Sequence, residues 1–288
     1  MQSGTFTSAG VRLYYEVEGQ GHPMVCLNGG PGFSHEYLQE LKALAGDRTL
    51  VFFDQRGTGQ SEKADPSTYT VEANVEDVEA LRRELGFERW DVLGHSWGGM
   101  LAQAYAISYS RRTTRLILAD TFSSVGDCNE TLLRMRADVP REVRAVYEKC
   151  EREGLYHGRD RYPEEYQAAL DVAYEPVTIS IPPPPYLADM FGKVAYDVYR
   201  VMWGEETEFR ITGTLRTFDA THDLPKLLMP ALVIVGASDM PTIEMAARTA
   251  GLLPNSFVEV FEHSRHFPFI EEPEKFLRVV RRFFEETA

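Results

Sequence analysis

Cysteine is scarce in this sequence. Only Cys26, Cys128 and Cys150 occur among 288 residues, and no two of them have the CxxC spacing of a redox or zinc motif. Because the number of cysteines is odd and their spacing matches no such motif, a framework of disulfide bonds is a poor interpretation. We expect reduced thiols and a cytoplasmic protein.

Positive charge and long apolar runs are also in short supply. The chain has 30 Lys and Arg against 44 Asp and Glu, a net charge of −14. Binding to a phosphate backbone or to an anionic membrane needs clustered Lys and Arg, so neither a nucleic acid nor a membrane is an expected partner. No run approaches the roughly 18 apolar residues of a membrane span, and the N-terminal stretch MQSGTFTSAG lacks the features of a signal peptide.

Short apolar runs alternate with helical patterns through much of the chain. The runs have the composition of buried strands and lie at Met24–Asn28, Leu50–Asp54, Trp90–Leu93, Leu116–Ala119, Ala231–Val235 and Ser256–Phe261. An apolar stripe that spans Val71 to Leu85 occupies one face of a helix. Strands that alternate with helices predict βαβ units and a mostly parallel sheet with helices on both faces.

The alternation stops after about Thr121. From Ser123 to Asp223 the sequence is polar and helical in character, and four consecutive prolines occupy Pro182–Pro185. The strand pattern then resumes, and an apolar stripe from Pro273 to Phe284 predicts a C-terminal helix. We therefore predict a core domain, residues 1–122 and 224–288, with a helical cap of residues 123–223 inserted after the sixth strand.

A candidate nucleophile stands at one strand-to-helix junction. Gly94-His95-Ser96-Trp97-Gly98 reads G-x-S-x-G, follows the strand Trp90–Leu93 and precedes the helical run MLAQAYAISY. A serine on such a sharp turn presents its hydroxyl at the carboxyl edge of the sheet, and the two glycines allow the strand and the helix to approach closely. Ser96 is therefore the predicted nucleophile.

A serine hydroxyl needs a base, and the base needs an orienting acid, in the chain order Ser, Asp or Glu, His. Asp239 follows the run ALVIVGAS, and His266 follows the last strand. We predict these two residues as the acid and the base. Asp120, which ends the sixth strand, is a rival acid, and His263 is the other histidine after the last strand.

The oxyanion of an acyl-transfer reaction needs hydrogen-bond donors. One predicted donor is the backbone N–H of Trp97, the residue after the nucleophile. The other comes from the glycine-rich loop Asn28–Gly32, where we name Gly30 and keep Gly29 as an alternative. No spacing typical of a metal site occurs, and this chemistry requires neither a metal nor an organic cofactor.

Several segments together resemble one family. NGGPG, FFDQRGTGQS, GHSWGG and HFPFIEEPEKF, with the Gly-x-x-Asp at 236–239, are similar to segments of the α/β-hydrolase-fold proline iminopeptidases (prolyl aminopeptidases) and related amino-acid amidases. The resemblance covers nearly the whole chain, strongly in the sheet domain and weakly in the cap. It implies the α/β-hydrolase fold and a catalytic triad of Ser96, Asp239 and His266. It also implies that Asp54 and Arg56 brace the active-site loops.

The resemblance further implies how a substrate is held. Peptidases of the family hold a free N-terminal amine with carboxylates, and Glu208 in the run EFRITG resembles one of these. A second often follows the triad aspartate directly, but here that position is Met240, so Glu205 and Glu206 are candidates to compensate. Another departure, Asn28 in place of the family's histidine, leaves the backbone donors intact.

Aromatic side chains complete the predicted substrate site. Trp97 and Trp203 are predicted to contact the substrate together with Glu208 and Met240. The cap aromatics form either a pocket for a proline ring or another small acyl group, or the cap's own core, and we expect the core for most of them; they include Tyr186, Phe191, Tyr196 and Tyr199.

The resemblance implies hydrolysis of an N-terminal residue, proline or a small hydrophobic one, from short peptides or amino-acid amides. Small molecules and short peptides are thus the expected partners, because a cap over the strand ends excludes protein chains. One alternative is a hydrolase of small esters, lactones or amides without a free amine, which Met240 favours. Another is a ligand-binding or lyase-type member that does not hydrolyse.

Overall fold

A sheet of eight strands runs through the computed structural model, which describes residues 2–154 and 162–288. In chain order the strands are β1 (Gln2–Ser8), β2 (Val11–Gly19), β3 (His22–Leu27), β4 (Arg48–Phe53), β5 (Trp90–His95), β6 (Thr113–Ala119), β7 (Ala231–Gly236) and β8 (Ser256–Phe261). Their order across the sheet is β1-β2-β4-β3-β5-β6-β7-β8. The strands from β3 to β8 pair in parallel, whereas β1 and β2 are antiparallel.

All six apolar runs of the sequence lie in β3 to β8 or end one residue beyond them. Every residue of β5 and β7 is buried, as expected for continuous apolar runs in a sheet that is covered on both faces. The predicted fold class, a mostly parallel α/β sheet, is therefore confirmed.

Helices connect these strands. They are α1 (Val71–Glu84), α2 (Trp97–Ser108), α3 (Val125–Asp138), α4 (Arg141–Arg152), α5 (Glu164–Thr178), α6 (Pro185–Gly192), α7 (Tyr196–Met202), α8 (Ile243–Leu252), α9 (Pro268–Glu271) and α10 (Pro273–Glu286). A 3₁₀ segment spans His35–Leu44. The helix predicted from the stripe that begins at Val71 is α1, and the side chain of Thr70 caps it by accepting from the N–H of Ala73. None of the helices in the described part of the chain is both long and apolar enough to cross a bilayer.

The sequence analysis missed the N-terminal hairpin of β1 and β2. Its turn is Ala9-Gly10, with φ values of 45° and 83°, the positive pair that a tight two-residue hairpin turn requires. The alternation of Val11, Leu13, Tyr15 and Val17 with polar residues was the available signal. Leu13 and Tyr15 are the buried members of that set, because only one face of this edge hairpin packs on the core.

Helices α3 to α7 lie between β6 and β7, in the stretch predicted as a cap. Residues 155–161 of that stretch lie outside the described residues. The division into a core of 1–122 and 224–288 and a cap of 123–223 stays a prediction.

The parallel strands place their carboxyl ends at one edge of the sheet. Ser96 follows β5, Asp239 follows β7, and His266 follows β8. The loop Asn28–Gly32 follows β3, which is the neighbour of β5 in the sheet. Residues far apart in the chain thus meet at the edge where ligands bind in open α/β sheets.

Candidate active site

Ser96 occupies the turn between β5 and α2. Its φ of 56° and ψ of −125° form a conformation that is rare for a residue with a side chain. The turn depends on glycine: a Cβ on Gly94 would lie 2.1 Å from the carbonyl oxygen of Gly98, and a Cβ on Gly98 would lie 2.1 Å from that of Leu27. The turn holds Ser96 at the N-terminus of α2, where the helix dipole favours negative charge.

The imidazole of His266 lies beside the carboxylate of Asp239. Its Nδ1 is 2.9 Å from Oδ1 and 3.0 Å from Oδ2. The carboxylate is buried and also accepts from the N–H of Met240 at 2.6 Å. Because an ionised carboxylate only accepts, Nδ1 of the neutral imidazole carries the hydrogen and Nε2 is the basic nitrogen. His263, the other histidine of this segment, is exposed at the surface.

The rival acid, Asp120, lies behind this pair. It is fully buried, and its Oδ1 accepts from the N–H of Gly236 at 2.9 Å rather than from the imidazole. Burial, and next the negative charge of Asp239, raise its pKa well above the usual range. Because Asp239 rather than Asp120 contacts the imidazole, Asp239 is the residue in place to orient His266.

The backbone N–H groups of the two predicted oxyanion donors are available, whereas that of the alternative, Gly29, is not. Within residues 2–154 and 162–288, no acceptor engages the backbone N–H of Gly30 or of Trp97, and both residues line the same cavity as Ser96. The N–H of Gly29, in contrast, donates to Oη of Tyr37 at 2.6 Å. This hydrogen bond favours Gly30 over Gly29 as the oxyanion donor, because the only N–H of Gly29 is already engaged.

Gln55 is a site residue that the sequence analysis missed. Its Oε1 accepts from the indole N–H of Trp97 at 2.6 Å, and its Nε2 donates to the carbonyl of Asn28 at 2.8 Å. One buried amide thus links the residue after the nucleophile to the glycine-rich loop. Asn28 holds the loop from within by donating to the carbonyl of Phe33 at 2.7 Å. The position of Gln55, directly after β4 in the segment DQRGTGQS, was the available signal.

The neighbours of Gln55 have the bracing contacts expected of them. Asp54 accepts from the backbone N–H and the Nδ1 of His35, at 2.9 and 2.8 Å. Arg56 makes a bidentate ion pair with Asp77 of α1, at 2.8 and 2.6 Å. Both contacts are buried, so they fix the loop after β4 beneath the active site.

A cavity of about 710 Å³ lies above Ser96. Among the residues predicted to act in catalysis or substrate binding, those that line it are Gly30, Ser96, Trp97, Trp203, Glu208, Met240 and His266. Phe191, Tyr196 and Tyr199 also line it, whereas Tyr186 donates to Glu40 at 2.7 Å elsewhere. Trp203 also packs in the main hydrophobic core and Tyr199 packs against it, so a place in the cavity wall and a place in the core are not exclusive for these aromatics.

Glu208 is a buried carboxylate in the wall of this cavity. Tyr162 donates to its Oε2 at 2.6 Å, Tyr174 donates to its Oε1 at 3.5 Å, and Tyr199 also donates to Oε1. Trp203 donates its indole N–H to the backbone carbonyl of Glu208 at 3.0 Å. Burial raises the pKa of Glu208 to about 7, and the tyrosine hydroxyls oppose that shift because they stabilise the carboxylate.

Known proteins with a similar sequence or structure are α/β hydrolases. A family model for the alpha/beta hydrolase fold matches residues 22–273. Proline iminopeptidases of Heyndrickxia coagulans and Saccharolobus solfataricus are each 32% identical to the chain, over 93% and 96% of it and 92% and 90% of their own lengths. The crystal structure of the Mycobacterium smegmatis proline iminopeptidase matches with a TM-score of 0.86 at 29% identity, over 99% of this chain and 98% of that one. The structure of VinJ matches with a TM-score of 0.90 at 30% identity, over 100% and 99%.

The chain belongs to the proline iminopeptidase family of α/β hydrolases. The family that the motifs predicted is confirmed, and with it the prediction that the protein is a hydrolase.

The amine site that the resemblance implies departs in part from the expected set of carboxylates. Met240 lines the cavity where a second carboxylate was expected. Glu205 and Glu206 are exposed and are not among the described residues that line the cavity, so the expectation that they compensate is wrong. Asp171 and Glu175 of α5, which the sequence analysis did not single out, do line it. Their spacing of four residues on a helix was the only available signal.

Proposed function

We propose that this protein is an aminopeptidase: a serine hydrolase that releases an N-terminal residue, proline or a small hydrophobic one, from short peptides or amino-acid amides through an acyl-enzyme. The observation that carries this proposal is one cavity lined by Ser96, His266 and Glu208 together. One part of its wall offers a nucleophile with a base, and another offers a buried carboxylate for an amine.

In the proposed acylation step, Oγ of Ser96 attacks the carbonyl carbon of the substrate. As the C–O bond forms, the hydroxyl proton passes to Nε2 of His266. Asp239, 2.9 Å from Nδ1, stabilises the resulting imidazolium. The negative charge on the substrate oxygen is held by the backbone N–H groups of Gly30 and Trp97, which need no reorganisation to receive it.

Collapse of the tetrahedral intermediate breaks the C–N bond. The leaving amine takes the proton from His266, and the acyl group stays on Ser96. A water molecule then gives one proton to Nε2 and attacks the carbonyl carbon of the ester. As the bond from that carbon to Oγ breaks, Nε2 returns the proton to Oγ, so that the free amino acid leaves and the serine hydroxyl is restored. All of these proton transfers use Nε2 of His266, and the steps as written require neither a metal nor an organic cofactor.

Glu208 would select the substrate by its amine. An ammonium group beside a buried carboxylate is stabilised by close opposite charge, and the carboxylate in turn is stabilised by the ammonium. In an N-terminal residue, only Cα separates the amine from the carbonyl carbon. A substrate anchored at Glu208 therefore presents its first carbonyl to Ser96, which confines cleavage to the first bond.

Residues 123–223 are proposed to act as the cap of this site. Helices α5 and α7 of that stretch supply Tyr174 and Tyr199 to the cavity wall, above the sheet edge that carries Ser96. A wall on that side limits entry to small molecules and to the ends of short peptides. Intact protein chains are not expected substrates.

A second candidate function is hydrolysis of small esters, lactones or amides that carry no free amine. Met240 favours it, because a thioether in place of a carboxylate makes that side of the cavity neutral and apolar. The catalytic groups would be the same, so the two functions differ only in what Glu208 contributes.

A panel of substrates tests both functions. Initial rates are measured on the 2-naphthylamides of proline, alanine and phenylalanine, on their N-acetylated forms, and on acetyl and butyryl esters. The aminopeptidase proposal expects the free-amine amides to be the best substrates by kcat/KM. If acetylation of the amine leaves amide turnover unchanged, the second function is correct and the first is not.

A further inference from the structure

Three consecutive hydrogen bonds run behind the nucleophile, two of them buried and the third partly buried. Gly29 donates its backbone N–H to Oη of Tyr37 at 2.6 Å. Oη of Tyr37 lies 2.8 Å from Nδ1 of His95, and Nε2 of His95 lies 2.7 Å from the backbone carbonyl oxygen of His266. Tyr37 is 0% exposed and His95 is 1% exposed, so the protein itself must satisfy these polar atoms.

The chemistry of the partners determines which group donates and which accepts in each of these three hydrogen bonds. A carbonyl oxygen only accepts, so Nε2 of His95 carries a hydrogen and donates it to His266. With Nε2 as the donor, Nδ1 of the neutral ring accepts from the hydroxyl of Tyr37. Burial, and next the nearby His266 ring, favour this neutral form by lowering the pKa of His95 well below its usual range. The oxygen of Tyr37 then accepts from Gly29. The donors all point one way, which strengthens each bond in turn.

This series of hydrogen bonds joins three parts of the site that are distant in sequence. Gly29 belongs to the loop that carries the oxyanion donor Gly30, and His95 directly precedes Ser96. The carbonyl of His266 belongs to the base itself, whose backbone N–H donates to the carbonyl of Thr178 in α5 at 3.1 Å. The base is thus held by His95 on the sheet side and by α5 on the other.

We propose that Tyr37 and His95 are positioning residues, which set the distance of the base and of the oxyanion donor from Ser96 by means of this chain. The proposal rests on the proposed function, because it assigns roles relative to Ser96 and His266. Neither side chain is among the described residues that line the cavity, so neither acts on substrate directly.

Loss of either side chain leaves buried groups without partners. Without the hydroxyl of Tyr37, the N–H of Gly29 and Nδ1 of His95 lose their bonds, and the peptide that leads into Gly30 is free to turn. A displacement of about 1 Å in a catalytic group lowers the rate by about a hundredfold. A glutamine at position 95 offers both functions of the imidazole, since its oxygen accepts from Tyr37 and its NH₂ donates to His266.

The test compares Tyr37→Phe, His95→Leu and His95→Gln with the wild-type chain, using kcat and KM on the best amide of the substrate panel. Tyr105→Phe is the matched control. Tyr105 is also 0% exposed, and its hydroxyl contacts Glu79 at 3.1 Å and the indole N–H of Trp90 at 3.2 Å, away from the cavity. Melting temperatures are recorded for every variant.

We expect Tyr37→Phe and His95→Leu to lower kcat by about ten- to a hundredfold with KM little changed. His95→Gln recovers most of that loss, and Tyr105→Phe lowers only the melting temperature. The proposal is overturned if Tyr37→Phe lowers kcat no more than Tyr105→Phe does, or if glutamine restores no more activity than leucine. Should His95→Leu fail to fold, the first of these comparisons decides.

Two further readouts separate this proposal from the proposed function. If the wild-type chain hydrolyses none of the amides, the proposed function fails, and the rate at which a fluorophosphonate labels Ser96 replaces kcat in the same comparison. In the wild-type chain, ¹⁵N NMR of labelled histidines is expected to show His95 as the neutral Nε2–H tautomer at pH 7. A hydrogen on Nδ1 of His95 would contradict the proposed donor and acceptor in its hydrogen bond with Tyr37.

Discussion

Replacement of Glu208 by glutamine removes the charge of the amine site and keeps its shape. A hydrogen bond to a charged group contributes about 1.5–3 kcal/mol, and each 1.4 kcal/mol is about a factor of ten. Met240 occupies the position where a second carboxylate was expected, so after the substitution no carboxylate at that position still attracts the amine. We therefore expect Glu208→Gln to lower kcat/KM for free-amine substrates by about ten- to a hundredfold, mainly through KM.

The pKa of Glu208 gives the same prediction a pH dependence. With a pKa of about 7, the carboxylate is about one tenth ionised at pH 6 and about half ionised at pH 7. Only the ionised form attracts an ammonium group, so the preference for free-amine substrates rises about fivefold between these pH values. It falls again above about pH 8, where the α-amino group of the substrate loses its proton.

The assay is the ratio of kcat/KM for proline 2-naphthylamide to that for 4-nitrophenyl butyrate, measured from pH 5.5 to 8.5. Any ionisation that affects both reactions, including that of the catalytic machinery, cancels in this ratio. Glu206→Gln is the matched control, because Glu206 is exposed and is not among the described residues that line the cavity. The reasoning is refuted if Glu208→Gln lowers both rates equally, or if the ratio in the wild-type chain does not rise between pH 6 and pH 7.

Other changes test the remaining assignments. Ser96→Ala is expected to lower kcat by several powers of ten while the chain still folds, and full activity with an unchanged circular dichroism spectrum would exclude Ser96 as the nucleophile. Asp239→Asn should lower kcat by about 10⁴-fold, whereas Asp120→Asn should cost less than tenfold because Asp120 accepts from the N–H of Gly236 and not from the imidazole; the opposite order of rates would make Asp120 the acid. Gly98→Ala should reduce the free energy of unfolding in urea by about 2 kcal/mol or more, because its Cβ would lie 2.1 Å from the carbonyl oxygen of Leu27. Gly251→Ala, in a helix with open space around it, should not, and equal urea midpoints would show that the turn tolerates a side chain.

The amino-acid sequence was informative wherever one local segment carried the whole signal. Continuous apolar runs such as Ala231–Val235 predict buried parallel strands, because both faces of such a strand must be covered. The order Ser96, Asp239, His266, each in the loop after a strand, then places three side chains at one edge of the sheet. The hydrogen bond between His266 and Asp239 agrees with that argument.

The sequence was uninformative wherever a residue's role depends on its partner. Gly29 and Gly30 are identical in type, and only the hydroxyl of Tyr37 distinguishes them, because it takes the N–H of Gly29. In the sequence Gln55 is one polar residue of a loop, and only its contact with Trp97 in the structure connects it to the active site. Glu205, Glu206 and Glu208 lie within four positions, yet the turn of the chain buries only the last.

The sequence by itself determined the six parallel strands of the sheet, the sharp turn at Ser96 and the family, because strand burial and turn geometry depend on runs of neighbouring residues. The tertiary structure alone decided which backbone N–H groups remain free, which carboxylate faces the cavity and which aromatics line it. These depend on hydrogen bonds and burial between residues that are from 8 to 171 positions apart. Such partners lie in different segments of the fold, so the pattern within one segment does not identify them.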